Sequence, residues 1–202
     1  MKDSEDCSHR KTTDMNIIVR PNGNNSCYCR PDTTCERENR DYYVPDGIIS
    51  LKWAPVVFVR VSKAGKCIGR KFASRYYDSF SFGSLLYGAD NESSCQSAIA
   101  FTSCLDHTSV LPSQMYSTDE MDNGMYDVHK DGVRIFSLET TKEELAGMIE
   151  ETICLCSQKT SLRIGDFVAV ELSVPQELAS GAESTMKGIW NDSTLYEKKL
   201  IF

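Results

Sequence analysis

The chain has 202 residues, of which 41% are hydrophobic and 25% are charged, and its formal net charge is −7. This length is sufficient for one domain with a buried core, and the composition is that of a globular protein. The negative charge argues against the basic surface that nucleic-acid binding requires. The longest apolar run, residues 54–59, is too short to cross a bilayer, so we expect neither a nucleic-acid nor a membrane partner.

The first fourteen residues are polar and contain no apolar stretch of the kind found in a secretory signal. We therefore expect a disordered extension at residues 1–14, a single domain at residues 15–202, and a cytoplasmic location in which thiols stay reduced. The chain has nine cysteines. Cys27 and Cys29 are separated by a single residue, as are Cys154 and Cys156, whereas paired zinc ligands usually have two to four residues between them, so packing is favoured over zinc.

Short strands dominate the first half of the predicted domain. Runs of branched and aromatic residues predict them at residues 16–20, 26–30, 48–53, 56–62 and 79–87. Pro55 lies between the runs 48–53 and 56–62. Because proline cannot donate to a strand ladder, it predicts a sheet edge or a bulge there. Residues 71–77 predict a short helix.

The second half contains the clearest predicted helix, residues 141–157. Thr140 and Thr141 each have a glutamate three residues on, which is the pattern of a capping box, and apolar residues then recur at intervals of three and four. A Gly165-Asp166 turn leads into a strand at residues 167–172. A terminal strand or hairpin follows the turn at Asn191-Asp192. Short strands with few helices predict an α+β fold with a mixed sheet.

Three consecutive segments carry a resemblance to a known family. They read PDTTCERENRDYYVPD (residues 31–46), GIISLKWAPVVFVRVSKAGKCIGRKFASRYYD (47–78) and SFSFGSLLYGAD (79–90). Together with SLRIGDFVAVELS (161–173), they resemble the fumarylacetoacetate hydrolase family, with interruptions, from Met15 to the C-terminus. The resemblance implies a mixed β-sheet roll or sandwich of the type found in that family's C-terminal domain, with a few short helices. It also implies a dimer whose site lies in a cleft between sheets.

The resemblance places the family's metal ligands, two glutamates and an aspartate that hold Mg²⁺ or Mn²⁺, at Ala54, Val56 and Leu85. None of these side chains offers a lone pair to a hard cation. The family's functional lysine falls at Ile99. Asp90 remains as an acid near the former site. The segment Ser50–Ser62 contains no acidic residue in any register, so a shifted alignment does not restore the ligands.

Further departures occur at other positions where the family carries functional residues. Thr102 stands in place of an aspartate and Ala89 in place of an arginine. Val170, Glu171 and Leu172 replace a Thr-Gly-Thr loop, and the segment between Arg20 and Ser26 is too short for the family's histidine–glutamate pair. We therefore expect a pseudoenzyme rather than an enzyme, with no cofactor and with a structural or interaction role. The expected partner is a second copy or an active relative in a mixed dimer.

Two alternatives stay open. The chain is a divergent Mg²⁺-dependent hydrolase or decarboxylase of 2-oxo or 2,4-dioxo acids if ligands have been recruited from elsewhere, such as Asp90, Glu92 or Glu171. A thiol-based redox or metal-binding module would instead use Cys27, Cys29 and Cys35.

Overall fold

The structure, a computed structural model, describes residues 15–89 and 100–202. The predicted extension at residues 1–14 and the predicted site positions Asp90, Glu92 and Ile99 lie outside these ranges. In the described part of the chain, no helix has the length and apolar character needed to cross a membrane.

Within the described residues, nine strands form a mixed sheet. They are β1 (Ile17–Arg20), β2 (Tyr28–Arg30), β3 (Cys35–Glu36), β5 (Ser50–Val61), β6 (Tyr77–Ala89), β7 (Ser109–Val110), β8 (Tyr116–Ser117), β11 (Phe167–Glu171) and β12 (Gln176–Ser180). The central order is β2-β1-β11-β5-β6-β7-β3, and outside that path β12 pairs with β5 and β8 pairs with β6.

A second sheet in the described ranges consists of β4 (Tyr42–Tyr43), β9 (Gly124–Lys130), β10 (Val133–Thr140), β13 (Ser184–Trp190) and β14 (Ser193–Ile201). Its strand order is β10-β9-β13-β14-β4. The α-helix α1 spans Lys142–Lys159, and 3-10 helices occupy Asp32–Thr34, Arg70–Arg75 and Thr118–Glu120. Two mixed sheets with few helices confirm the predicted α+β class.

The start of α1 confirms the predicted capping box at Thr141. Its hydroxyl accepts from the backbone N–H of Glu144 at 3.2 Å, and the Glu144 carboxylate accepts from the backbone N–H of Thr141 at 3.1 Å. These reciprocal bonds satisfy two backbone donors that the first helical turn leaves without partners. Leu145, Ile149 and Ile153 are buried on one face of the helix, as their spacing predicts.

Pro55 is the main correction to the predicted elements, because it lies inside one continuous strand, β5, and not between two. The neighbour on one edge of β5 changes at this point. β12 pairs with residues 50–53, and β11 pairs with residues 56–60. The missing N–H of proline therefore falls in the gap between two partner strands, where no ladder bond is lost.

The large sheet carries a core on each face. On one face the sheet packs against the second sheet and α1; there the ring of Phe82 lies 4.7 Å from Tyr126 and 4.4 Å from Trp190, centroid to centroid. On the other face lies a smaller apolar cluster, formed by Ile17, Val19, Val56, Phe58, Leu85, Leu111, Phe167 and Ala169. Alternate residues of β5 and β6 contribute to opposite faces. The smaller face also carries the candidate site.

Candidate active site

The three positions at which the sequence predicts lost metal ligands lie together. Ala54 and Val56 are two residues apart on β5, so they share a face, and Leu85 on β6 is the direct partner of Ala54. All three are fully buried. We call these three residues the apolar patch. It does not fit a divalent cation, because hydrocarbon side chains offer no oxygen ligands.

A cavity of about 740 Å³ opens beside the apolar patch on the same face of the sheet. Lys52, two residues before Ala54, and Tyr87, two residues after Leu85, both line it. Glu171 on β11 lines it as well and is the direct partner of Val56. The cavity therefore continues the patch along the strands, with polar side chains in place of apolar ones.

A chain of hydrogen bonds crosses the wall of this cavity. The Tyr87 hydroxyl donates a short hydrogen bond to the Glu171 carboxylate, and the Tyr28 hydroxyl lies 2.7 Å from that of Tyr87. The other carboxylate oxygen of Glu171 accepts from the backbone N–H of Asn22 at 3.1 Å. Beyond Tyr28, the Ser103 side chain hydrogen-bonds to the Tyr28 hydroxyl. A carboxylate and two phenols are thus joined at one edge of the cavity.

Burial sets the acid–base character of this chain. It raises the pKa of Glu171, a shift that the hydrogen bonds from Tyr87 and Asn22 and the charge of Arg30 oppose. Burial also raises the pKa of Tyr28 and Tyr87. The glutamate therefore holds a proton more readily than an exposed one, while both phenols remain proton donors at neutral pH.

Other residues singled out from the sequence are dispersed. Ala89 and Thr102 line the cavity, whereas Val170 packs into the large core on the opposite face of the sheet. Cys29 also lines the cavity. Among residues 15–89 and 100–202, no three His, Cys, Asp or Glu side chains are grouped so that they could hold a metal ion.

Sequence reasoning missed the two tyrosines of the site. Tyr28 lies between Cys27 and Cys29, and Tyr87 follows the apolar residues of β6, so each is typical of a half-buried strand position. The two-residue step from Leu85 to Tyr87 could have placed Tyr87 on the site face. Nothing in the sequence indicates that Tyr28 contacts Tyr87 in the site.

No protein-family model and no curated protein matches the sequence. Solved structures do match. One is a Yersinia pestis protein described as a fumarylacetoacetate hydrolase family member, with a TM-score of 0.76 and 14% identity over 93% of this chain and 92% of that one. Another is fumarylpyruvate hydrolase from Pseudomonas aeruginosa in complex with Mn²⁺ and pyruvate, with a TM-score of 0.74 and 12% identity over 94% and 89% of the two chains. A third is 2-hydroxyhepta-2,4-diene-1,7-dioate isomerase from Mycobacterium marinum, with a TM-score of 0.73 and 11% identity over 93% and 74%.

The chain therefore has an α+β fold of the fumarylacetoacetate hydrolase type, as the resemblance implied. The expectation that it is not an enzyme is wrong, because chains of this fold include a named hydrolase and a named isomerase. That expectation rested on the family's functional residues that are missing from the sequence, at the apolar patch and elsewhere, and it overlooked the polar chain beside the patch. The predicted dimer and the cytoplasmic location stay predictions.

Proposed function

We propose that the chain is an enzyme that moves a proton on a small 2-oxo acid bound in the cavity beside the apolar patch. The reaction class is keto–enol isomerisation. The observation that carries the proposal is the hydrogen-bonded chain from Tyr28 through Tyr87 to Glu171 in the cavity wall. The substrate class follows the fold neighbours, one of which is complexed with pyruvate and another of which is an isomerase of an unsaturated dioate.

The chemistry requires a base and a donor. The Glu171 carboxylate takes a proton from the carbon next to the substrate carbonyl, and the electron pair of that C–H bond becomes the enolate. The Tyr87 hydroxyl donates to the Glu171 carboxylate before the reaction; once that carboxylate takes the proton, the hydroxyl donates instead to the enolate oxygen, where negative charge develops. Transfer of that proton to the enolate oxygen gives the enol, and its return to the same carbon or to a conjugated one gives a keto form; either transfer restores the carboxylate. A carboxylate and phenols joined in an apolar site are suited to such a step.

No step is assigned to a metal ion, because the apolar patch offers no ligand for one. Of the acids that were considered as recruited metal ligands, Glu171 does lie at the candidate site, because it is the direct partner of Val56 on the same face of the sheet. Asp90 and Glu92 lie outside the described residues, and Glu171 alone does not make a site for a hard cation.

Hydrogen–deuterium exchange tests the proposal without knowledge of the product. Pyruvate, 2-oxobutyrate and 2-oxoglutarate in D₂O are incubated with the protein, and loss of the C3 protons is followed by ¹H NMR, with EDTA in one series and Mn²⁺ in another. We expect protein-dependent exchange of at least one acid in both series. Glu171→Gln should lower the rate by about 100-fold or more, the usual contribution of a general base.

Matched variants control for nonspecific effects. Tyr87→Phe should reduce exchange, while Tyr76→Phe, a half-buried tyrosine elsewhere, should leave it unchanged. Glu197→Gln, on the surface of the second sheet, should also leave it unchanged. Exchange that requires Mn²⁺, or that survives in Glu171→Gln, would contradict the proposal, as would a rate equal to that of buffer for all three acids.

A further inference from the structure

Arg30 is a buried cation next to Tyr87 of the candidate site. The side chain is fully buried at the end of β2. Its Nε donates to the Ser103 carbonyl at 3.0 Å, and its Nη2 donates to the Leu86 carbonyl at 2.9 Å and the Thr108 hydroxyl at 2.8 Å. All three acceptors are neutral. Its Nη1 is buried and has no hydrogen-bond partner in residues 15–89 and 100–202.

A charge buried in this way is costly unless an opposite charge compensates it. Within the described ranges, no carboxylate forms an ion pair with Arg30 at 4.0 Å or less. The guanidinium instead lies over the ring of Tyr87, 5.2 Å from its centroid. The charged and titratable groups that act on it are those of Tyr87, Tyr28, Glu171 and Cys104.

We propose that Arg30 is a positioning residue whose buried positive charge keeps Glu171 in its anionic form, so that Glu171 can accept a proton. The role in catalysis rests on the proposed function, whereas the effect on the charge of Glu171 does not. Its guanidinium lies over the ring of Tyr87, whose hydroxyl donates to the Glu171 carboxylate, so Arg30 and Glu171 are both neighbours of Tyr87. It is placed behind the cavity wall and needs no contact with substrate.

The groups around Glu171 make the direction of the effect clear. Burial favours its neutral form, while the hydrogen bonds from Tyr87 and Asn22 and the Arg30 charge favour the anion. Lys52 is a second cation on the cavity but is solvent-exposed, so water screens it. Burial raises the pKa of Tyr42, and the Arg30 charge opposes that shift. Of the groups that oppose the desolvation of Glu171, Tyr87 and Asn22 act through hydrogen bonds and Arg30 acts through its charge.

A ¹³C NMR titration of protein labelled with [5-¹³C]glutamate reads the charge of Glu171 directly, whether or not the protein is active. The resonance is assigned by its absence in Glu171→Gln. In the wild type we expect Glu171 to be ionised at pH 7.5. In Arg30→Gln, which keeps hydrogen-bonding capacity but loses the charge, the titration midpoint should move up by about one pH unit, the lower end of what an opposite charge nearby contributes.

Arg30→Lys keeps the charge and should restore a midpoint near that of the wild type. Arg60→Gln removes an exposed arginine that pairs with Asp78 and serves as the matched control, with no change expected. In every variant, the pH at which the hydrogen–deuterium exchange rate falls on the acid side of its pH profile should shift together with the NMR midpoint of Glu171. Such a parallel shift, reversed by lysine, is not expected if Arg30 only stabilises the fold.

An unchanged midpoint in folded Arg30→Gln overturns the inference. If that variant does not fold, the wild-type titration decides, and a Glu171 that is still protonated at pH 7.5 overturns it. Absence of exchange in the wild type together with the expected midpoints contradicts the proposed function alone. The two proposals therefore fail separately.

Discussion

Val56 shows at the scale of one side chain how this site differs from a metal centre. It lies fully buried in the smaller apolar cluster, and its direct strand partners are Gly83 on β6 and Glu171 on β11. A carboxylate here would lose its hydration without gaining a cation, and it would stand beside Glu171. The valine stabilises the cluster by about 1.5–3 kcal/mol through burial.

Val56→Glu should therefore destabilise the protein by about 3 kcal/mol or more, the cost of an uncompensated buried charge. Lys52→Glu is the matched control, because it places the same side chain on the same strand and face at an exposed position, and we expect a small effect there. Thermal and urea unfolding measure both. A melting temperature for Val56→Glu equal to that of the wild type would show that position 56 is not part of a packed core.

Lys198 is a second buried charge, outside the candidate site. Its side chain is fully buried, and its Nζ lies 3.8 Å from the Glu36 carboxylate and 6.0 Å from the centre of the Tyr42 ring. Burial lowers the pKa of Lys198 from 10.5 to about 8. Between those two pH values the unfolded chain binds the proton more tightly than the folded one, so stability from this group rises with pH.

Lys198→Met removes this titration. The free energy of unfolding of the wild type should therefore increase relative to that of Lys198→Met between pH 8 and pH 10.5, by up to about 3 kcal/mol. Lys199→Met, an exposed neighbour paired with Glu183, should show no such pH-dependent difference. Urea unfolding at a series of pH values measures the difference in the free energy of unfolding between the wild type and Lys198→Met. A difference that does not change between pH 8 and pH 10.5 would contradict a lowered pKa for Lys198.

At the scale of elements, the helix was the part best predicted from sequence. The Thr141 capping box and the apolar spacing are local signals, and they act over three or four residues. Thr141→Ala should lower the free energy of unfolding by about 1 kcal/mol, as is typical for loss of an N-cap. Glu143→Gln, in the same turn but outside the capping box, should have little effect. Equal stability of Thr141→Ala and the wild type would contradict the role of the cap.

Strands were predicted less completely, because their partners are distant in sequence. The hairpin of β9 and β10 turns at Asp131 and Gly132, both with positive φ, and although these residues indicate a turn, its flanking strands were not predicted. Pro55 indicated a break between two strands because proline has no N–H to donate to a strand ladder. Only the change of partner from β12 to β11 explains why the strand continues through it.

At the scale of the whole molecule, the same limitation applies to the site. The apolar patch could be placed from sequence because its three positions follow the resemblance. Of the catalytic candidates, the sequence indicated Glu171 only as an alternative metal ligand and neither tyrosine, because Tyr28, Tyr87 and Glu171 come from β2, β6 and β11 and only the sheet order brings them together. The missing metal ligands therefore predicted loss of function, whereas the folded sheet places a different set of polar groups, the polar chain in the cavity wall, beside the apolar patch.

The fold also explains why the polar chain and the apolar patch can coexist. One face of the large sheet is committed to the main core with α1 and the second sheet, which leaves the other face to form a smaller cluster and a cavity. Residues two apart on β5 and β6 change from apolar to polar along this face. The strands therefore place the apolar patch and the hydrogen-bonded polar chain next to each other on one face of the sheet.

A crystal structure of the protein grown with MnCl₂ and pyruvate tests this account most directly, with data collected at a wavelength where manganese scatters anomalously. We predict density for pyruvate in the cavity, within hydrogen-bond distance of Tyr87 or Tyr28, and no anomalous peak at the apolar patch. An Mn²⁺ ion held beside Ala54, Val56 and Leu85, or pyruvate bound away from Glu171, would contradict it.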